Sequence, residues 1–207
     1  MTDAPARYIR WSNLLTYVSI GCGLGAVFVA REFGSWEGAG LLIAVAALSD
    51  TFDGRFARRF DRTESERAFG EQLDSLVDAV SFGVVPVVCL HSLVPMTGAA
   101  LQALWFVAAC LYVLCAVTRL GYYNVHHHAQ AGFVGLPTTL AALLWSTLFL
   151  IHPAAPLTIA ALLGIGLAMV SFLPVPRPRG IAMWAYMLWF LAVFVSYGSH
   201  LAHALYG

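Results

Sequence analysis

The chain contains no lysine; all eleven of its basic residues are arginine. It has no acidic residue beyond Asp78, and charged residues make up only 11% of the whole. A soluble domain carries about a quarter, so these shortages exclude an ordinary soluble surface. They also exclude a strongly basic nucleic-acid-binding face, because the net charge is zero. The four cysteines, Cys22, Cys89, Cys110 and Cys115, show neither CxxC nor Cys/His metal spacing, so they read as small buried apolar residues. No internal repeat or low-complexity segment is present.

What remains is hydrocarbon. Apolar residues reach 60% and the mean hydropathy is +0.77. A helix needs about 20 apolar residues to cross a hydrocarbon core of about 30 Å, and several runs are that long. The pattern predicts an all-α, polytopic integral membrane protein of six to seven transmembrane helices. Spans are expected near 13–31, 36–59, 69–92, 98–123, 134–151, 155–173 and 180–203, separated by turn residues such as Gly34, Pro95, Pro153 and the run Pro174–Gly180. Residues 1–207 form a single transmembrane domain, and 1–12, with Arg7, Tyr8, Arg10 and Trp11, form an interfacial N-terminal segment. The run after Arg7 and Arg10 is long and leads into further spans, so it reads as a retained helix and not a cleaved signal.

Arginine placement sets the orientation. With a cytoplasmic N-terminus and alternating spans, Arg7, Arg10, Arg55, Arg58, Arg59, Arg62, Arg67, Arg119, Arg177 and Arg179 face the cytoplasm, and only Arg31 lies outside. The expected location is the cell (inner) membrane.

Eight of the eleven acidic residues crowd between Asp50 and Asp78. Asp50 and Asp53 are three apart, Asp74 and Asp78 four apart, so each pair shares a helix face. A loop between them returns the second helix antiparallel, and four carboxylates converge between helices 2 and 3. Bare, they would repel one another. Divalent cations relieve that repulsion, and oxygen ligands suit Mg²⁺ or Mn²⁺. Two such ions make a clamp for phosphoryl chemistry. Gly54, Ala57 and Gly70 permit close approach to the backbone, and Arg58 lies two turns from Asp50 on roughly the same face, able to meet a phosphate. Asp61, Arg62, Glu64, Glu66 and Arg67 read as a solvated loop. His126, His127 and His128 are consecutive, so on a regular helix they cannot chelate one ion; they read as an interfacial cytoplasmic loop.

The stretch Asp50-x-x-Asp53-Gly54-x-x-Ala57-Arg58, then Gly70-x-x-x-Asp74-x-x-x-Asp78, resembles the signature of the CDP-alcohol phosphotransferases at every fixed position. The spacer, Arg59 to Phe69, has eleven residues and is longer than is usual in that family. Within the family, Asp74-Ser75-Leu76-x-Asp78-x-x-Ser81-Phe82-Gly83-x-x-Pro86 is similar to the serine-using members, the phosphatidylserine synthases. Arg119-Leu120-Gly121-Tyr122-Tyr123-Asn124-Val125 and Phe133-Val134-Gly135-Leu136-Pro137 agree, with Gly121 and Tyr122 departing from the pattern.

The resemblance implies a phosphatidyl transfer from CDP-diacylglycerol to the hydroxyl of L-serine, giving phosphatidylserine and CMP at a cytoplasm-facing site. Asp50, Asp53, Asp74 and Asp78 would hold two divalent cations, Asp78 doubling as the base. Gly54, Ala57, Arg58 and Gly70 would surround the nucleotide. Arg119, Asn124 and Ser81 are candidates to bind the acceptor, with a positive-inside anchor and a packing serine as the plainer readings of Arg119 and Ser81. The rival acceptors are glycerol 3-phosphate or an inositol phosphate, which call for more basic residues than the chain offers. A divalent-cation transporter is the rival of another class; it does not need Gly54, Ala57, Arg58 and Gly70 in this register. Expected partners are the two substrates and membrane lipid, without nucleic acid. Small residues leave room for a homodimer, Gly164-Ile165-Gly166 being the nearest approach to a pairing motif.

Overall fold

The computed structural model describes residues 4–126, 133–175 and 180–206. Arg177, Arg179, His127 and His128, all weighed above, lie outside the described residues.

The expected all-α architecture is present. Short 3₁₀ turns, Pro5–Tyr8 and Trp11–Asn13, lead into α1, Leu14–Phe33. Gly34, at φ 60°, ends α1 in the left-handed conformation. Ser35 then caps α2, Trp36–Ala57, by accepting from the Gly38 amide at 3.0 Å. The next helix is α3, Glu64–Asp78, opened by a reciprocal capping box between Thr63 and Glu66. A π-helical stretch, Ala79–Val84, joins it without a break to α4, Val85–Leu93. Then come α5, Ala99–His126, the two-residue strand β1, Phe133–Val134, α6, Thr138–Phe149, and α7, Ala155–Met169. Strand β2, Pro174–Val175, and α8, Ile181–Tyr206, complete the chain. The strands pair antiparallel, Phe133 opposite Val175.

Among the described residues, four helical stretches are long and apolar enough to cross a membrane: Trp11–Phe33, Glu64–Leu93, Ala99–His126 and Ile181–Ala202. The sequence pattern predicts more. Helix α2 has the length but carries Glu37, Asp50, Asp53 and Arg55. Helix α6, at 12 residues, and α7, at 15, fall short of the spans expected at 134–151 and 155–173. At 1.5 Å per residue they reach about 18 and 22 Å.

Packing is close because the buried residues are small. α1 and α2 lie against each other through Ala26, Ala30, Ala39, Ala44 and Ala47, all fully buried. α6 and α8 also pack on α2. At Gly40 an added Cβ would collide with the Tyr197 hydroxyl, which donates to the Ser146 carbonyl. The Ser146 hydroxyl in turn donates to the Gly40 carbonyl at 2.8 Å. Large apolar residues on α5 (Leu104, Phe106, Leu114) and α8 (Trp184, Leu188, Val195) are exposed, as lipid-facing side chains are in a bundle that buries only one stripe of each helix.

The π-helical stretch has an identifiable support. Pro86 has no N–H to return to the Phe82 carbonyl one turn back. The Tyr112 hydroxyl on α5 donates to that carbonyl at 2.7 Å, and Trp145 Nε1 on α6 donates to the Tyr112 hydroxyl at 2.9 Å. Three helices are thereby fixed around the segment immediately following Asp78.

Candidate active site

The expected face-sharing of the aspartates puts all four at one end of the bundle. One carboxylate oxygen each from Asp50, Asp74 and Asp78 lies within 4.8 Å of the others. Asp53 stands beside them: its carboxyl adjoins that of Asp74, and its Oδ2 accepts from the Thr16 hydroxyl at 3.2 Å. The Asp50 and Asp78 carboxyls also adjoin. Asp78 is buried, Asp50 and Asp74 half-buried.

Helix α6 delivers two hydroxyls to this group. Thr139 donates to Asp50 Oδ2 at 2.7 Å, and Thr138 donates to Asp78 Oδ2 at 3.1 Å. Thr138 also receives Arg119 Nη1 at 3.4 Å. Thr138 is thus the bridge between a buried arginine and the buried Asp78. The Arg119 guanidinium lies 5.2 Å from the Tyr123 ring centroid, and its charge bears first on Asp78.

Among the described residues, Asp74 Oδ1 and Asp78 Oδ1 are buried without a hydrogen-bond partner. Buried carboxylate oxygens are ordinarily satisfied. Clustered acidic oxygens with bare lone pairs, in a donor set made only of oxygen, fit a hard divalent cation.

The other candidates divide. Gly54 and Arg58 are exposed and Ala57 buried; Arg58 Nη1 lies 3.6 Å from where a Gly54 Cβ would stand. Over Gly70 the corresponding neighbours are Arg62 Nη1 at 3.3 Å and Asn13 Oδ1 at 3.5 Å. Arg119 is brought to the carboxylates. Asn124 accepts from the Ser75 hydroxyl at 3.0 Å, tying the end of α5 to α3. Ser81 is turned onto α1, where its hydroxyl donates to the Ser19 carbonyl at 3.5 Å and abuts Gly23; this is the placement of a helix-packing serine. Residues Thr16, Thr138 and Thr139 escape sequence reasoning. Their only signal is a pair of hydroxyls directly after Pro137 and a lone threonine in α1's first turn.

Fold and site together define a helical membrane protein with an acidic, cation-ready centre at one end of its bundle. The sequence profile of the CDP-alcohol phosphatidyltransferases matches residues 10–194, and the chain belongs to that family. It is 29% identical over 174 residues to an archaetidylserine synthase of Methanothermobacter thermautotrophicus, covering 84% of this chain and 72% of the relative. It is 36% identical over 155 residues to a CDP-diacylglycerol–serine O-phosphatidyltransferase of Mycobacterium leprae, covering 69% of this chain and 49% of the relative. A Bacillus subtilis protein of the same name is 28% identical over 165 residues, 79% of this chain and 85% of the relative. The match therefore spans about half of the mycobacterial protein and most of the other two.

Proposed function

We propose that this protein transfers the phosphatidyl group of CDP-diacylglycerol to the hydroxyl of L-serine, releasing CMP. The observation that carries the proposal is the assembly of Asp50, Asp74 and Asp78 around bare oxygens with Arg119 joined to Asp78 through Thr138. Relatives named for serine phosphatidyl transfer support the choice of acceptor.

Asp50, Asp53, Asp74 and Asp78 would hold two divalent cations, Mg²⁺ or Mn²⁺, which when bound supply positive charge against the donor's diphosphate. Thr139 and Thr138 fix one oxygen of Asp50 and of Asp78, leaving the others to face the reaction. Asp78 accepts the proton of the serine hydroxyl. The serine oxygen bonds to the diacylglycerol-linked phosphorus, the bond from that phosphorus to the bridging oxygen breaks, and CMP leaves with the electron pair. Gly54, Ala57, Arg58 and Gly70 border the nucleotide. Arg119 attracts the serine carboxylate, a role its planar fork suits; Asn124 lies at the same end, five residues further along α5. The arginines gathered at this end assign it to the cytoplasmic face of the cell membrane, where serine and nucleotide are both present.

The test is an acceptor screen on membranes containing the protein. CMP release is expected with CDP-diacylglycerol, L-serine and Mn²⁺ or Mg²⁺. Release with glycerol 3-phosphate or an inositol phosphate in place of serine would reassign the acceptor. Loss of release on chelation, restored by added cation, is expected as well.

A further inference from the structure

Each glycine of the site has a guanidinium lying over it. Arg58 Nη1 stands 3.6 Å from the Cβ position of Gly54, beside Asp53; Arg62 Nη1 stands 3.3 Å from that of Gly70, one turn before Asp74. Arg58 belongs to the family signature. Arg62 lies in the lengthened spacer, where sequence reasoning reads a solvated loop. We infer that Arg62 is a second phosphate-directed cation, gripping the diphosphate of the CDP-lipid donor from the α3 side while Arg58 grips it from the α2 side. The inference rests on the donor proposed above.

Three observations carry it. Among the spacer arginines Arg59, Arg62 and Arg67, Arg62 is the one half-buried. Among the described residues it forms no ion pair, and a charge withdrawn from water without a partner is costly until an anion arrives. By contrast, Arg10 is engaged by Glu66 and Arg55 sits 5.8 Å from the Phe52 ring centroid.

The position is also built, not left to a loop. Arg62 immediately precedes Thr63, the N-cap of α3. The Thr63 hydroxyl accepts from the Glu66 amide at 3.3 Å, and Glu66 accepts from the Thr63 amide at 2.9 Å. Arg10 holds Glu66 from outside, and Tyr8 stacks on Phe69 with centroids 4.7 Å apart. The N-terminal segment thus fixes the start of α3 and, with it, the arginine that points across Gly70. A guanidinium there matches paired phosphate oxygens in a way an ammonium does not.

The experiment is calorimetric titration of the purified full chain with CDP, CMP and cytidine in the presence of Mn²⁺, for wild type, Arg62→Gln, Arg62→Lys and the control Arg59→Gln. Arg62→Gln is expected to weaken CDP by about tenfold or more, the scale of a charge-assisted hydrogen bond. Cytidine binding and thermal midpoint should not change, Arg62→Lys should fall between, and Arg59→Gln should match wild type. In turnover, KM for CDP-diacylglycerol should rise with serine KM unmoved. Equal weakening of cytidine and CDP would overturn the phosphate assignment, as would wild-type affinity for CDP in Arg62→Gln. Should Arg62→Gln not fold, Arg62→Lys alone decides by the same CDP-against-cytidine comparison. Because CDP binding needs no acceptor, a wild type that binds CDP yet releases no CMP with serine would fail the acceptor proposal without touching Arg62.

Discussion

Asp78 presents two different oxygens. Oδ2 takes the Thr138 hydroxyl at 3.1 Å, while Oδ1 is buried without a partner. Asp78→Asn keeps the shape and removes both the charge and the proton acceptor. Turnover should fall by a factor of about 10²–10⁴, with CDP binding kept within a few-fold; near-normal turnover would remove Asp78 from the role of base. Arg119→Lys keeps a charge but loses the fork that reaches Thr138. It should raise the KM for serine far more than that for CDP-diacylglycerol, and equal changes in both would mark a structural role. The four aspartates are legible in the sequence because a carboxylate in an apolar chain is costly and therefore conspicuous. Thr138 and Thr139 are not, because a hydroxyl among apolar residues reads as packing. Thr139 meets Asp50 across 89 positions of chain, a distance that no spacing rule bridges.

At the scale of elements, the site depends on how α6 begins. Gly135 adopts φ 76°; its amide donates to the Leu173 carbonyl, and that of Leu136 to the Ala168 carbonyl, both at 2.9 Å. A Cβ on Gly135 would press into the Met169 carbonyl oxygen. The end of α7 therefore sets the entry of α6, and α6 sets Thr138 and Thr139 on their carboxylates. Gly135→Ala combines left-handed strain with overpacking, each about 1–3 kcal/mol. It should lower the thermal midpoint and turnover together, with CDP binding less affected. A variant as stable and active as wild type would detach α7 from the site. The turn at Gly34 is a local feature that sequence punctuation anticipates. The π-helical stretch after Asp78 is not anticipated, because its support comes from Tyr112 and Trp145 on two other helices.

At the scale of the molecule, the two ends of the bundle differ in charge, and that difference predicts its orientation. The Thr16–Asp53, Arg10–Glu66, Ser75–Asn124 and Thr139–Asp50 contacts bring the start of α1, the loop between α2 and α3, the end of α5 and the start of α6 to one end. That end carries Arg7, Arg10, Arg55, Arg58, Arg59, Arg62 and Arg67. The opposite end, at the close of α1, has Arg31, with Glu37 and His152 paired at 3.0 Å nearby. Arginine resists translocation, so the carboxylate end should face the cytoplasm. The arginine count alone points this way; the number of crossings is less legible, because α6 and α7 carry no charged residue yet are short, and composition does not reveal where a buried helix stops. Orientation is tested in a variant whose four cysteines are replaced by alanine, with single cysteines restored at Ser65, exposed at the start of α3, or Thr97, exposed before α5. In intact spheroplasts a membrane-impermeant maleimide should modify Thr97→Cys and spare Ser65→Cys until the membrane is permeabilised. The reverse pattern would place the carboxylates outside, away from cytoplasmic nucleotide, and would remove the basis for CMP release as the reaction's readout.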